Sequence, residues 1–295
     1  MASEEMRAAA EAIREAATFS GGELDVATLR QQMMASLAEI PDDVSRADFD
    51  VSGIPARHIE TPGARKDRGV LYLHGGGYVL GSLDTHTELM ARISRACRAP
   101  VLGLDYRLAP ENPYPAAVED AVKGYDRLTD QGIDPGKIVI AGDSAGGGLT
   151  VACLLALKAQ GKAQPAGAML LSPWVDLTGS GDSVESRADV DPMVSRALLD
   201  FLAALYYGDT DATVPCVSPL FGDLNGLAPF LIQVGDHEML LDDSTRLLDR
   251  ALRAGVAAEL QIFEEAFHVF QNNPALPESA EALSSMGAFF DRVTG

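Results

Sequence analysis

The chain has 295 residues, 47% of them hydrophobic, enough to bury one sizeable core. Acidic residues outnumber basic ones, 43 to 23, for a formal charge of −20. A phosphate-binding surface needs clustered Lys and Arg, so nucleic acid is excluded as a partner and the charge reads as a solubility feature. The three cysteines, Cys97, Cys153 and Cys216, are widely spaced and form no Cys-x-x-Cys or Cys/His pattern. They are expected to be buried free thiols of a reducing compartment, with neither a disulfide framework nor a zinc site. No apolar run reaches membrane-spanning length. The N-terminal stretch carries acids early and lacks the continuous apolar core of a signal peptide, so the expected location is the cytoplasm.

In chain order, residues 1 to about 45 predict two helices, the second with Val26, Leu29, Met33, Leu37 and Ile40 at helical spacing. From about residue 68 short apolar runs alternate with helical stretches. "GVLYLHG" precedes "DTHTELMARISRACR", "APVLGLDY" precedes "YPAAVEDAVKGYDRLTDQG", and "KIVIAG" precedes "AGGGLTVACLLALKAQG". "AGAMLLSP", "APFLIQVG" and "AAELQIFEE" continue the series. Continuous apolar strands between amphipathic helices predict an α/β protein with a mostly parallel sheet covered on both faces. Residues 183 to 208 break the rhythm as a helical insert. Together with residues 1–45 they are expected to cap one end of a catalytic domain spanning 46–295. The last strand, "ELQIF", is expected to be an edge that a second copy can pair with, giving a homodimer.

The strongest chemical signal is "GDSAG", Gly142 to Gly146, between a predicted strand and a helix. In that setting G-x-S-x-G forms a sharp turn that projects the Ser144 hydroxyl above the sheet as a nucleophile. "HGGGYVLGS", His74 to Ser82, follows another strand, and its glycines suit backbone donors to an oxyanion. Gly76 and Gly77 would donate from this loop and Ala145 from the start of its helix. A serine nucleophile needs a base. Where such a turn carries a triad, the order is serine, acid, histidine, with the histidine after the last strand. Of the five histidines only His237 and His268 follow Ser144, and His268 stands just beyond "AAELQIF". His268 is the expected base; His74 shapes its own loop, and His58 and His86 are expected at the surface.

These motifs, with "DYRLAPENPYPAA", "SPWVDL" and "FHVF", resemble the bacterial hormone-sensitive-lipase-like (family IV) branch of the α/β-hydrolases, which are carboxylesterases. The resemblance runs from about residue 48 to near the C-terminus. It implies an α/β-hydrolase core with a helical cap, acting on short to medium acyl esters, with no metal and no organic cofactor. It also implies that Arg107 and Glu111 are structural, as a buried charge pair. The family pattern G-x-x-acid-x-Leu-x-Asp matches Gly235, Glu238, Leu240 and Asp242, so Glu238 is the expected triad acid and Asp236 the alternative. Asp242 and Asp243 are expected to cap the next helix. Leu29, Met33, Phe201, Leu205 and Tyr206 are candidates to line the acyl pocket. A lipase, an amidase or deacetylase, and an inactive small-molecule-binding homologue remain open beside the esterase.

Overall fold

The computed structural model of the chain describes residues 1–16, 25–35 and 37–295. An eight-stranded sheet is built from β1 (Ser45–Val51), β2 (Ile54–Glu60), β3 (Gly69–Leu73), β4 (Val101–Leu104), β5 (Ile138–Asp143), β6 (Gly167–Leu171), β7 (Phe230–Gly235) and β8 (Ala258–Phe263). Their spatial order is β1-β2-β4-β3-β5-β6-β7-β8, antiparallel at β1/β2 and β2/β4 and parallel from β4 to β8. The central strands β3, β5, β6 and β7 are buried along their whole length, which is why their sequences are continuously apolar rather than alternating.

Helices α1 (Glu4–Ala16), α2 (Val26–Met34), α3 (Leu83–Cys97), α4 (Ala116–Asp130), α5 (Ala145–Ala159), α6 (Ser183–Ser186), α7 (Arg196–Tyr207), α8 (Leu241–Arg253) and α9 (Pro277–Thr294) complete the fold. Val70 and Tyr72 of β3 point into a core shared with α3 and α9, while Leu71 and Leu73 point into one shared with α4, α5 and α8. A third small core joins Met6 and Ala10 of α1 to Ala266, Phe267 and Phe270. Burial of one Met contributes about 1.5–3 kcal/mol. A helix as short as α1 is marginal by itself, so tertiary contacts such as this one, with Arg14 Nη2 donating to Val190 O at 2.8 Å, hold it. α7 starts at Ser195, whose side chain accepts from the Leu198 N–H, and it buries Leu198, Leu199, Leu202, Ala203 and Tyr206.

Three local expectations change. The hairpin β1–β2 has no counterpart in the predicted elements, because β1 is largely exposed and carries charged residues where a buried strand would carry apolar ones. Its turn, Ser52-Gly53, has φ of 53° and 86°, the paired positive values of a type I′ hairpin turn. The second helix ends at Met34, so Leu37 is exposed and Ile40 half-buried beyond it, despite their helical spacing. Asp242 and Asp243 lie in the first turn of α8 but cap nothing there: Asp243 accepts from the Val175 and Asp176 N–H groups at 2.7 and 2.8 Å, and Asp242 from Ser183 N at 2.9 Å. Their carboxylates bind neighbouring loops to the helix start.

All three cysteines are free, with Cys97 and Cys153 buried and Cys216 half-buried. Among the described residues no helix is long and apolar enough to cross a membrane. β8 is the sheet's outer parallel strand, with Ile262 52% exposed.

Candidate active site

β5 ends at Asp143 and α5 begins at Ala145, so Ser144 makes the whole turn between them, with φ 52° and ψ −121°. A non-glycine residue held at positive φ stores strain, and here the surroundings enforce it. Ser144 N donates to Leu171 O at 2.8 Å, and Ser144 O accepts from Trp174 N at 2.9 Å. α5 comes so close to β3 that a Cβ on Gly146 would land on the Leu73 carbonyl, which is why glycine follows Ala145.

The loop after β8 brings His268 to this turn. Ser144 Oγ lies 2.9 Å from His268 Nε2, and His268 Nδ1 lies 2.7 Å from Glu238 Oε2. With Nδ1 against a carboxylate the ring proton belongs there, which leaves Nε2 to accept from the serine hydroxyl. Burial lowers the His268 pKa, but the hydrogen bond and charge of Glu238, with the charges of Asp191 and Asp143, outweigh it and hold the pKa above its usual value. Glu238 is fully buried, and its other oxygen accepts from Gly235 N at 2.6 Å and Ser172 Oγ at 2.8 Å. Ser172 Oγ in turn accepts from Val269 N at 3.1 Å, so one hydroxyl ties the acid to the histidine loop. Asp236 is engaged elsewhere, accepting from Glu265 N at 2.6 Å. It is therefore Glu238 that the fold brings to His268.

On the other side of Ser144, Gly76 and Gly77 have φ of 111° and 62°, and a Cβ on Gly77 would strike Leu202. Among the described residues no hydrogen bond takes up the N–H of either glycine. Ala145 opens α5, where first-turn N–H groups have no partner within the helix. The loop is held from behind by Asp143, which accepts from Gly75 N at 2.9 Å and Tyr72 Oη at 2.6 Å and pairs with His86 Nε2 at 3.3 Å. Burial would raise the Asp143 pKa, but the His86 and Tyr72 contacts prevail and keep it low. His86 is thus a buried partner of this carboxylate and not the surface residue expected, because α3 turns it beneath the loop. His74 is also buried; its ring stacks on Tyr106 at 4.4 Å, and burial drives its pKa down to about 4. His58 is half-buried on β2 rather than free at the surface.

A cavity of about 370 Å³ is lined by Ser144, His268, Gly76 and Gly77 together with residues of α1, α2, α3 and α7. Of the expected pocket residues only Met33 lines it. Leu29 is in the core, Phe201 and Leu205 pack against that core, and Tyr206 stacks on Tyr78 with ring centroids 3.8 Å apart. The face of α7 that meets the pocket carries Leu198, Leu199 and Leu202, a phase that apolar spacing cannot reveal in a helix apolar on several sides. Arg107 and Glu111 do not pair with each other. Arg107 pairs with buried Asp120 at 2.8 Å, and Glu111 pairs with Arg30 at 2.7 Å. Asp191, which the sequence did not single out, accepts from Met193 N, Val194 N and Met239 N, linking the insert to the residue beside Glu238. Among the described residues no group of three or more His, Cys, Asp or Glu is placed to hold a metal ion.

The model of a family with the alpha/beta hydrolase fold matches residues 70–272. An acetyl-hydrolase of Streptomyces hygroscopicus is 43% identical over 264 residues, which is 86% of this chain and 88% of the relative. Among solved structures, an esterase from the bacterial hormone-sensitive lipase family is similar over 100% of both chains, with a TM-score of 0.96 and 43% identity. EstE5, in a crystal soaked with p-nitrophenyl butyrate, is similar over 99% of both chains, with a TM-score of 0.97 and 42% identity.

Removal of Asp143 tests the frame behind the glycine loop. Asp143→Ala leaves the Gly75 N–H and the Tyr72 hydroxyl without their acceptor, and an unpaired buried donor costs about 1–3 kcal/mol. Urea unfolding is expected to show a loss of about 2 kcal/mol or more for Asp143→Ala and a smaller one for Asp143→Asn, which keeps an acceptor oxygen. Equal stability of all three proteins would contradict this role.

Proposed function

The chain belongs to the α/β-hydrolase fold family, in its bacterial hormone-sensitive-lipase branch, and on that premise we propose that it hydrolyses short to medium acyl esters through an acyl-enzyme on Ser144. The observation that carries the reading is the hydrogen-bonded series Ser144, His268, Glu238 facing one cavity. His268 Nε2 takes the serine proton as Oγ attacks the ester carbonyl. The carbonyl oxygen becomes an oxyanion beside the N–H groups of Gly76, Gly77 and Ala145, each donor contributing about 3 kcal/mol to the transition state. His268 then protonates the leaving alcohol, and a water deprotonated by the same nitrogen releases the acid. Glu238 holds the ring in the tautomer that both steps need and stabilises the imidazolium between them.

The substrate size follows from the walls. Pockets for small molecules span about 300–1,000 Å³, and a cavity of about 370 Å³ is near the lower bound. The apolar side chains of Met33, Leu198, Leu199 and Leu202 suit a short alkyl chain. Helices α1 and α2 with residues 183–208 act as a cap over the catalytic domain and supply those walls. A second copy of the chain pairs along β8, whose unpaired edge and exposed Ile262 offer both hydrogen bonds and apolar area.

Ser144→Ala is expected to remove measurable hydrolysis of p-nitrophenyl butyrate while circular dichroism stays unchanged; turnover near the wild-type rate would end the assignment. The base works only when neutral, and its pKa is raised, so kcat/KM should climb with pH through a midpoint above 6.5. Glu238→Gln removes the contact that raises the pKa and leaves the burial that lowers it. Its midpoint should move to lower pH, with kcat down by on the order of 10⁴ as for loss of a tautomer-fixing carboxylate; an unmoved midpoint would count against the pairing. Sedimentation velocity should give a dimer for the wild type and a monomer for Ile262→Lys, and a wild-type monomer would refute the β8 pairing.

A further inference from the structure

Two of the helices that line the cavity, α7 and α2, are anchored by different means. α7 buries five side chains, and its Tyr206 is stacked against the glycine loop through Tyr78. α2 carries Gln32 and Met33 into the cavity, yet its one buried residue is Leu29. Among the described residues, the charged hydrogen bonds that tie α2 to its neighbours come from Arg30. Its Nε donates to Val79 O at 2.9 Å, in the loop that carries Gly76 and Gly77, and its Nη2 donates to Ala109 O at 3.0 Å. The guanidinium then forks onto Glu111, Nη1 to Oε1 at 2.7 Å and Nη2 to Oε2 at 2.8 Å. The two loops are themselves joined, Ala109 N donating to Tyr78 O at 2.9 Å. One side chain therefore spans the α2 wall, the glycine loop and the "YRLAPE" loop.

We propose that the Arg30–Glu111 pair is a fastening that sets the position of the α2 wall and thereby selects the length of the acyl chain, with both residues acting as positioning residues. The proposal rests on the esterase reading above and names where its chain-length preference resides. A planar fork onto a carboxylate fixes direction as well as distance, which a lysine could not do. The pair is also accessible, with Arg30 33% and Glu111 57% exposed, so salt weakens it and the wall it holds is the one that can yield. Glu111 is held down to about 2 by the Arg30 hydrogen bond, so it remains ionised at any working pH and the fastening is not a pH switch. Closed, it keeps Met33 against a short chain. Released, it deepens the cavity along the α2 side and removes that contact.

The test compares kcat and KM on p-nitrophenyl acetate, butyrate and octanoate for the wild type, Arg30→Met and Glu111→Gln. Methionine keeps the apolar stem and loses the fork. The expected result is a raised KM for butyrate and an octanoate-to-butyrate ratio of kcat/KM that rises about threefold or more in both variants. About 0.5 M NaCl should move the wild-type ratio the same way and leave that of Arg30→Met in place. A uniform change on all three esters, or an unchanged ratio, in folded variants overturns the proposal, since a purely structural role lowers all rates together. If Arg30→Met does not fold, Glu111→Gln and the salt titration decide it. A wild type inert on every ester would instead overturn the esterase reading on which this rests.

Discussion

A single backbone turn organises this molecule. Ser144 must take a positive φ for β5 to pass directly into α5, and the sheet and helix can meet there only because Gly146 has no side chain. The arrangement costs conformational energy, of order 1–3 kcal/mol for such a residue. It is maintained by neighbours that have other duties. Leu171 and Trp174 take both polar groups of the Ser144 backbone, and they flank Ser172, the residue whose hydroxyl joins Glu238 to the histidine loop. The strained turn and the orientation of the ring facing it thus share one segment of chain.

The same economy appears behind the glycine loop. Asp143, adjacent to Ser144, receives the Gly75 N–H, so one buried carboxylate helps set the spacing between Ser144 and the candidate oxyanion donors. Displacements there matter because hydrogen bonds to developing charge weaken steeply with misalignment. Buried groups tie the elements around Ser144, whereas α2, which also lines the cavity, is held in part by the more exposed Arg30–Glu111 pair.

Legibility in the sequence followed the strictness of the local physics. The central strands were readable because a strand buried on both faces admits almost only apolar residues. Ser144 and the loop around Gly76 and Gly77 were readable because positive φ and close backbone approach restrict residue type at short spacing. The β1–β2 hairpin was not, since an exposed edge strand imposes little on its composition. Nor were Leu198, Leu199 and Leu202 distinguished from Phe201 and Leu205: periodicity identifies an apolar helix without saying which part of its surface meets the cavity. His86 with Asp143, Ser172 with Glu238 and Arg30 with Glu111 are pairings between residues far apart in the chain, set by topology alone. The choice between Glu238 and Asp236 was open on residue chemistry, and what separates them in space is the loop after β7, which turns one carboxylate inward to His268 and spends the other on Glu265 N.

The packing of α1 against Phe267 and Phe270 has a bearing on synthesis. α1 finds its partner surface only after residues 266–270 have been made, and the same segment carries His268. Until then the chain holds a serine at its turn with no imidazole beside it. The docking of α1 and the arrival of the proposed base thus depend on the same stretch of chain.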